Sequence, residues 1–156
     1  MSDLNTDTEK ILVIGIGNCG RHDDGLGWKF TELIANHGKG KVDTEFRYQL
    51  QVEDSVLVSK YDTVIFADAS HSKLKQGFEI HRCKPAAHYF YSSHMQTPES
   101  ILYLAKELYN KIPKSFVVAI KGHIWGLGTT LSRVAEKNLE KAVMSFERDF
   151  FKIASR

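Results

Sequence analysis

Two cysteines, no long apolar run and no excess of charge are the scarcities of this 156-residue chain, and each removes a class of protein. Cys19 and Cys83 have no Cys-x-x-Cys spacing and are too few for a disulfide scaffold, so the plain reading is reduced thiols in the cytoplasm. No segment approaches membrane-spanning length, and the polar, acidic N-terminus lacks the apolar core of a signal peptide. Lys and Arg total 21 against 19 Asp and Glu, with no basic run, so no nucleic-acid or membrane surface is expected. Neither internal repeats nor low-complexity segments occur. What remains is a chain with 42% hydrophobic residues, enough for one compact core. Residues 1–10 read as a loose tail and residues 11–156 as a single domain.

The apolar pattern then sets the architecture. Ile11 to Ile16 is a nearly continuous apolar run, the pattern of a strand buried on both faces, Thr63 to Ala67 is another of that type, and Ser115 to Ile120 is a further strand. Val42 to Leu50 alternates instead, as a strand covered on one side. Phe78 to Arg82 follows the third strand after too short a connection for a parallel crossover, so it is expected to run antiparallel to a neighbour. Between strands, Leu26, Phe30, Leu33 and Ile34 recur at helical spacing and stop at Asn36-His37-Gly38. Thr97-Pro98-Glu99 opens a second helix that Pro113 is expected to close. Ser132 caps a last one with the stripe Leu139, Ala142, Val143, Phe146, Phe150 and Ile153. The expected fold is a three-layer α/β/α sandwich with about five strands in a mixed sheet and helices on both faces, phosphorylase/hydrolase-like in layout.

Chemistry concentrates at the turns. The first strand runs into Gly15-Ile-Gly17-Asn18-Cys-Gly-Arg-His-Asp23-Asp24-Gly25-Leu-Gly27, a glycine-rich turn with adjacent carboxylates. Gly15, Gly17 and Gly20 also fit G-x-G-x-x-G, but two carboxylates lie where a dinucleotide's pyrophosphate would rest, and Asp43 or Glu45 is only loosely spaced as a ribose-binding acid. The third strand ends on Asp68, and His94 precedes the Thr97 helix. Ligands in open α/β sheets gather beyond the carboxyl ends of the strands. Asp24, Asp68 and His94 thus form a candidate O, O, N ligand set of the kind that nickel or zinc accepts. Taken singly, each residue has a plainer use. Asp23 is expected to cap the first helix and leave Asp24 for the rim, Asp68 can accept hydrogen bonds in its own turn, and His94 can be a solvated loop residue. His71, His88 and His123 have no carboxylate at ligand spacing. Cys19, three residues before His22, raises a thiolate nucleophile, although such pairs usually come from separate segments.

Gly15-x-Gly17-Asn18-x4-Asp23-Asp24-Gly25-x-Gly27 resembles the hydrogenase maturation proteases. The likeness continues through Gln49-Leu50 with Glu53-Asp54, Val64 to Ala69, Ser93-His94 with Pro98-Glu99, and Gly126-Leu127-Gly128 before Leu131-Ser132. The resemblance implies an endopeptidase that trims the C-terminal extension of a nickel-iron hydrogenase large-subunit precursor after nickel insertion. Its metal and catalytic positions would be Asp24, Asp68 and His94. It also implies that the nickel is recognised in the precursor, with zinc or cadmium able to occupy the same ligands, and a monomer is expected. Metal-activated water with a carboxylate base is the simplest hydrolytic candidate. Cys19-Gly-Arg-His22 and Lys121-Gly-His123-Ile-Trp125 depart from the family's usual spacers. The alternatives are a dinucleotide-binding oxidoreductase and a noncatalytic nickel-sensing chaperone.

Overall fold

The computed structural model describes residues 9–89 and 95–151. Five strands, β1 (Ile11–Ile16), β2 (Asp43–Arg47), β3 (Thr63–Ser70), β4 (Phe78–Cys83) and β5 (Lys114–Lys121), form one sheet in the order β2-β1-β3-β5-β4. Every pairing is parallel except that of β4, which runs antiparallel along β5 at the sheet's edge, as its short connection requires.

Side-chain alternation along the central strands divides the core in two. Val13, Ile65, Ala67, Val118 and Ile120 face one layer, where α1 (Leu26–His37) and α4 (Arg133–Phe146) supply Leu26, Phe30, Ile34, Leu139, Val143 and Phe146. Leu12, Ile14, Ile16, Val64 and Phe66 face the other, against Val58 of the short helix α2 (Asp54–Val58) and Ile101, Leu102 and Ala105 of α3 (Pro98–Tyr109). The three-layer expectation holds, and the strands with near-continuous apolar sequence are the ones covered on both faces.

Local signals explain most boundaries. Thr97 accepts from the Ser100 amide while the Ser100 hydroxyl accepts from the Thr97 amide, a reciprocal cap on α3 with Pro98 in its first turn. The Ser132 hydroxyl caps α4 by accepting from the Ala135 amide. Helix α3 ends earlier than Pro113 suggests, because Asn110 takes a left-handed conformation (φ 53°) and breaks the ladder itself. Past α4, residues Glu147–Phe151 continue as one π-helical turn that stacks Phe150 on Phe146, so the predicted stripe holds through Phe150. Ile153 lies outside the described residues.

Candidate active site

Because β1 is flanked by β2 on one side and β3 on the other, the chain leaves the carboxyl ends of β1 and β3 in opposite directions and opens a crevice between them. Asp68 lies in that crevice, in register with Ile16 at the end of β1. The turn after Ile16 brings Asp24 to the same place, and two glycines make this possible. Gly17 has a φ of +139°, and a Cβ there would lie 2.1 Å from the Asp24 carbonyl oxygen. At Gly27, a Cβ would lie 2.3 Å and 2.6 Å from the carbonyl oxygens of Ala67 and Ile16, so only glycine lets the first turn of α1 settle between the two strand ends.

Asp24 is tied into the turn by accepting from the Asn18 amide (2.9 Å), and Gly20 donates its amide to the Asn18 side chain (2.8 Å). These are amides that a dinucleotide phosphate would need, and the chain's own acceptors occupy them. The half-buried Asp68 carboxyl is pushed up to about 7, chiefly by burial and further by the charge of Asp24, against a lowering hydrogen bond from the Ala69 amide. The two carboxylates are therefore close enough to feel each other. A divalent cation suits such a pair, because it relieves both the mutual repulsion and the cost of burying charge.

His94 lies outside the described residues. Gln96, two residues on, forms an isolated bridge with Leu50 just after β2. Among the described residues no group of three or more His, Cys, Asp or Glu side chains is arranged to hold a metal ion. The structure brings together Asp24 and Asp68 of the predicted ligand set.

Asp23 does not do what its sequence position suggests. Neither the 3-10 turn His22–Gly25 nor α1 has a side-chain cap. Instead Asp23 is fully buried and accepts four hydrogen bonds, from the amides of His123 (2.7 Å), Ile124 (3.0 Å) and Ser132 (2.7 Å) and from the Ser132 hydroxyl (2.8 Å). Burial alone would raise its pKa, but these donors outweigh it and hold the carboxyl below the usual carboxylate range. Asp23 thus clamps the β5–α4 loop to the β1–α1 turn. Main-chain bonds lace the same two segments together: the His22 amide donates to Gly128, the Gly128 amide to Gly20 and the Asp23 amide to Ile124.

His22 and His71 have structural uses. His22 turns its Nδ1 to the Thr130 carbonyl (2.8 Å), Cys19 is exposed, and His71 stacks on Trp125 with ring centroids 3.7 Å apart. Burial, with the charge of Glu99 and a hydrogen bond to it, pushes the Cys83 thiol up to about 12. On the β2 side, the Arg47 carbonyl accepts from the Gly17 amide (2.9 Å) and from Trp28 Nε1 (3.0 Å), and its guanidinium pairs with buried Asp54 at 3.1 Å. Sequence reasoning misses this buttress, although the Glu53-Asp54 pair marks where it lies.

No protein-family model matches the chain, and no curated protein matches it in sequence. Solved structures do match in fold. The chain is similar to the hydrogenase maturating endopeptidase HybD from E. coli, with 18% identity over 92% of this chain and 93% of that one and a TM-score of 0.68. It is also similar to the NiFe hydrogenase maturation protease HycI from Thermococcus kodakarensis, with 21% identity over 93% and 96% and a TM-score of 0.68. A hydrogenase 2 maturation peptidase from a Thaumarchaeota archaeon gives 18% identity over 90% and 97%, with a TM-score of 0.65. The chain has the α/β fold of these endopeptidases over nearly its whole length.

Proposed function

We propose that this chain is a hydrolase of peptide bonds that removes the C-terminal extension of a nickel-iron hydrogenase large-subunit precursor once nickel has been inserted. The observation that carries the reading is the pairing of Asp24 and Asp68 in the crevice between β1 and β3, within a fold shared over nearly the whole chain with hydrogenase maturation endopeptidases. In this reading the precursor's nickel is part of the substrate, and Asp24, Asp68 and His94 are the side chains that engage it, with zinc or cadmium able to take the same donors. The reaction takes place in the cytoplasm on a monomeric enzyme.

The chain's own residues divide the work. Asp24 presents a carboxylate whose orientation the Asn18 amide fixes. Asp68, with its pKa near 7, can release a proton when a cation arrives and can exchange one during bond scission at neutral pH. Asp23 and Ser132 hold the β5–α4 loop against the β1–α1 turn and so have a positioning role. The Asn18 and Gly20 amides, already taken by the chain's own acceptors, disfavour the oxidoreductase alternative. Cleavage itself separates a protease from a chaperone that only senses nickel.

The test is incubation of nickel-loaded precursor with the wild type, Asp24→Asn and His94→Ala, read by intact mass. The wild type should shorten the precursor by one discrete C-terminal fragment, and both variants should leave it uncut while keeping the wild-type circular dichroism. An unchanged precursor mass with stable binding would point to the chaperone, and full activity in either variant would remove that residue from the site.

A further inference from the structure

Beside the crevice, the loop between β3 and β4 and the flank of α4 that carries Val134, Asn138 and Lys141 border an open groove of about 650 Å³. Lys73, Lys75, Lys121 and Lys141 line it, together with His123 and Asn138. No carboxylate lines it, and among the described residues none of the four lysines has a carboxylate within ion-pairing distance. Lysines gathered around one concavity with no carboxylate in its lining raise the local positive potential. This is unusual in a chain whose overall charge is only +2. Lys121 is held in place, its Nζ donating to the His71 carbonyl (2.7 Å) and its own carbonyl accepting from Asn138 Nδ2 (3.0 Å).

The groove adjoins the candidate site. Lys121 pairs in register with Ser70, two residues past Asp68, which puts its Cα about 8 Å from that of Asp68 by ordinary strand dimensions. An extended peptide covers that distance in about three residues. The walls carry Leu74 and Val134 but no Phe, Tyr or Trp on which a nucleobase would stack, so the lining favours a peptide over single-stranded nucleic acid. We propose that this groove binds acidic side chains of the substrate segment next to the scissile bond and thereby selects the precursor. The inference rests on the endopeptidase reading above.

The experiment measures binding of a fluorescently labelled octaglutamate by anisotropy at low ionic strength. It compares the full-length wild type with Lys73→Glu/Lys75→Glu/Lys141→Glu. Lys39→Glu/Lys60→Glu/Lys106→Glu is the control, with the same change in net charge at exposed positions outside the groove. The groove variant should bind at least tenfold more weakly and the control within threefold of wild type. On nickel-loaded precursor the groove variant should raise KM with kcat within twofold. Equal losses in the two triple variants would overturn the proposal. So would tighter binding of an eight-nucleotide oligouridylate that the groove variant alone loses. A wild type that leaves the precursor uncut would refute the endopeptidase reading, and the octaglutamate comparison would still decide the groove's ligand class.

Discussion

Replacing Asp68 by asparagine should stabilise the metal-free protein while ending its activity. Burial pushes the Asp68 carboxyl from its ordinary 3.8 up to about 7. At 1.36 kcal/mol per unit this puts an upper bound of about 4 kcal/mol on the cost of ionising it in place. Relaxation and partial exposure reduce that to roughly 2 kcal/mol, or about 4–8 °C in Tm for a domain of this size. The sign follows from proton uptake. Between pH 3.8 and 7 the folded state holds a proton that the unfolded state has lost, so Asp68's contribution is fully present below pH 3.8, falls as pH rises, and levels off above about 7. Asparagine resembles the neutral acid at every pH. Chemical denaturation of both proteins from pH 4 to 8 should therefore show a stability difference that grows in favour of Asp68→Asn and saturates near pH 7. A difference independent of pH, or a variant less stable than wild type at pH 8, would refute the reasoning.

Two further substitutions probe the scaffold around the site. Asp23→Asn replaces an acceptor of four buried hydrogen bonds with a side chain that has one carbonyl and turns an NH2 toward the remaining donors. It should cost about 3 kcal/mol at pH 7, and less as pH falls through the lowered native pKa, because that stabilisation exists only while the carboxylate is ionised. A loss under 0.5 kcal/mol by urea denaturation would contradict the clamp. Gly27→Ala drives a methyl into the Ala67 and Ile16 carbonyls, which belong to the central strands and cannot yield. The alanine's better helix propensity of about 1 kcal/mol should be outweighed, leaving a net loss of about 1–3 kcal/mol. A raised Tm would show that α1 can shift away without penalty.

How much of this was legible in the sequence depended on whether the governing contacts were local. Strands β1 and β3 announce themselves because burial on both faces removes their polar positions. The caps at Thr97 and Ser132 are legible because donor and acceptor lie three residues apart. Asp68 is legible as a carboxylate at the end of a buried strand, but its raised pKa needs the register that sets β3 beside β1. Alternation from Val42 to Leu50 suggests a longer β2, yet pairing stops at Arg47 because β1 turns away at Gly17, whose amide makes the last bond to the Arg47 carbonyl. Helix α2 has only five residues, too few for a periodic signal. Asp23 is the instructive case. The capping rule is local, whereas its partners at 123, 124 and 132 lie a hundred residues away and carry no pattern that points back to it.

The most direct test of the central claim is the intact mass of the large-subunit precursor after incubation with the wild-type protein, prepared once with nickel inserted and once without. The expected result is loss of one C-terminal fragment from the nickel-loaded precursor and no change in the nickel-free one. Equal cleavage of both would contradict recognition of nickel through Asp24, Asp68 and His94, and cleavage of neither would contradict the endopeptidase itself.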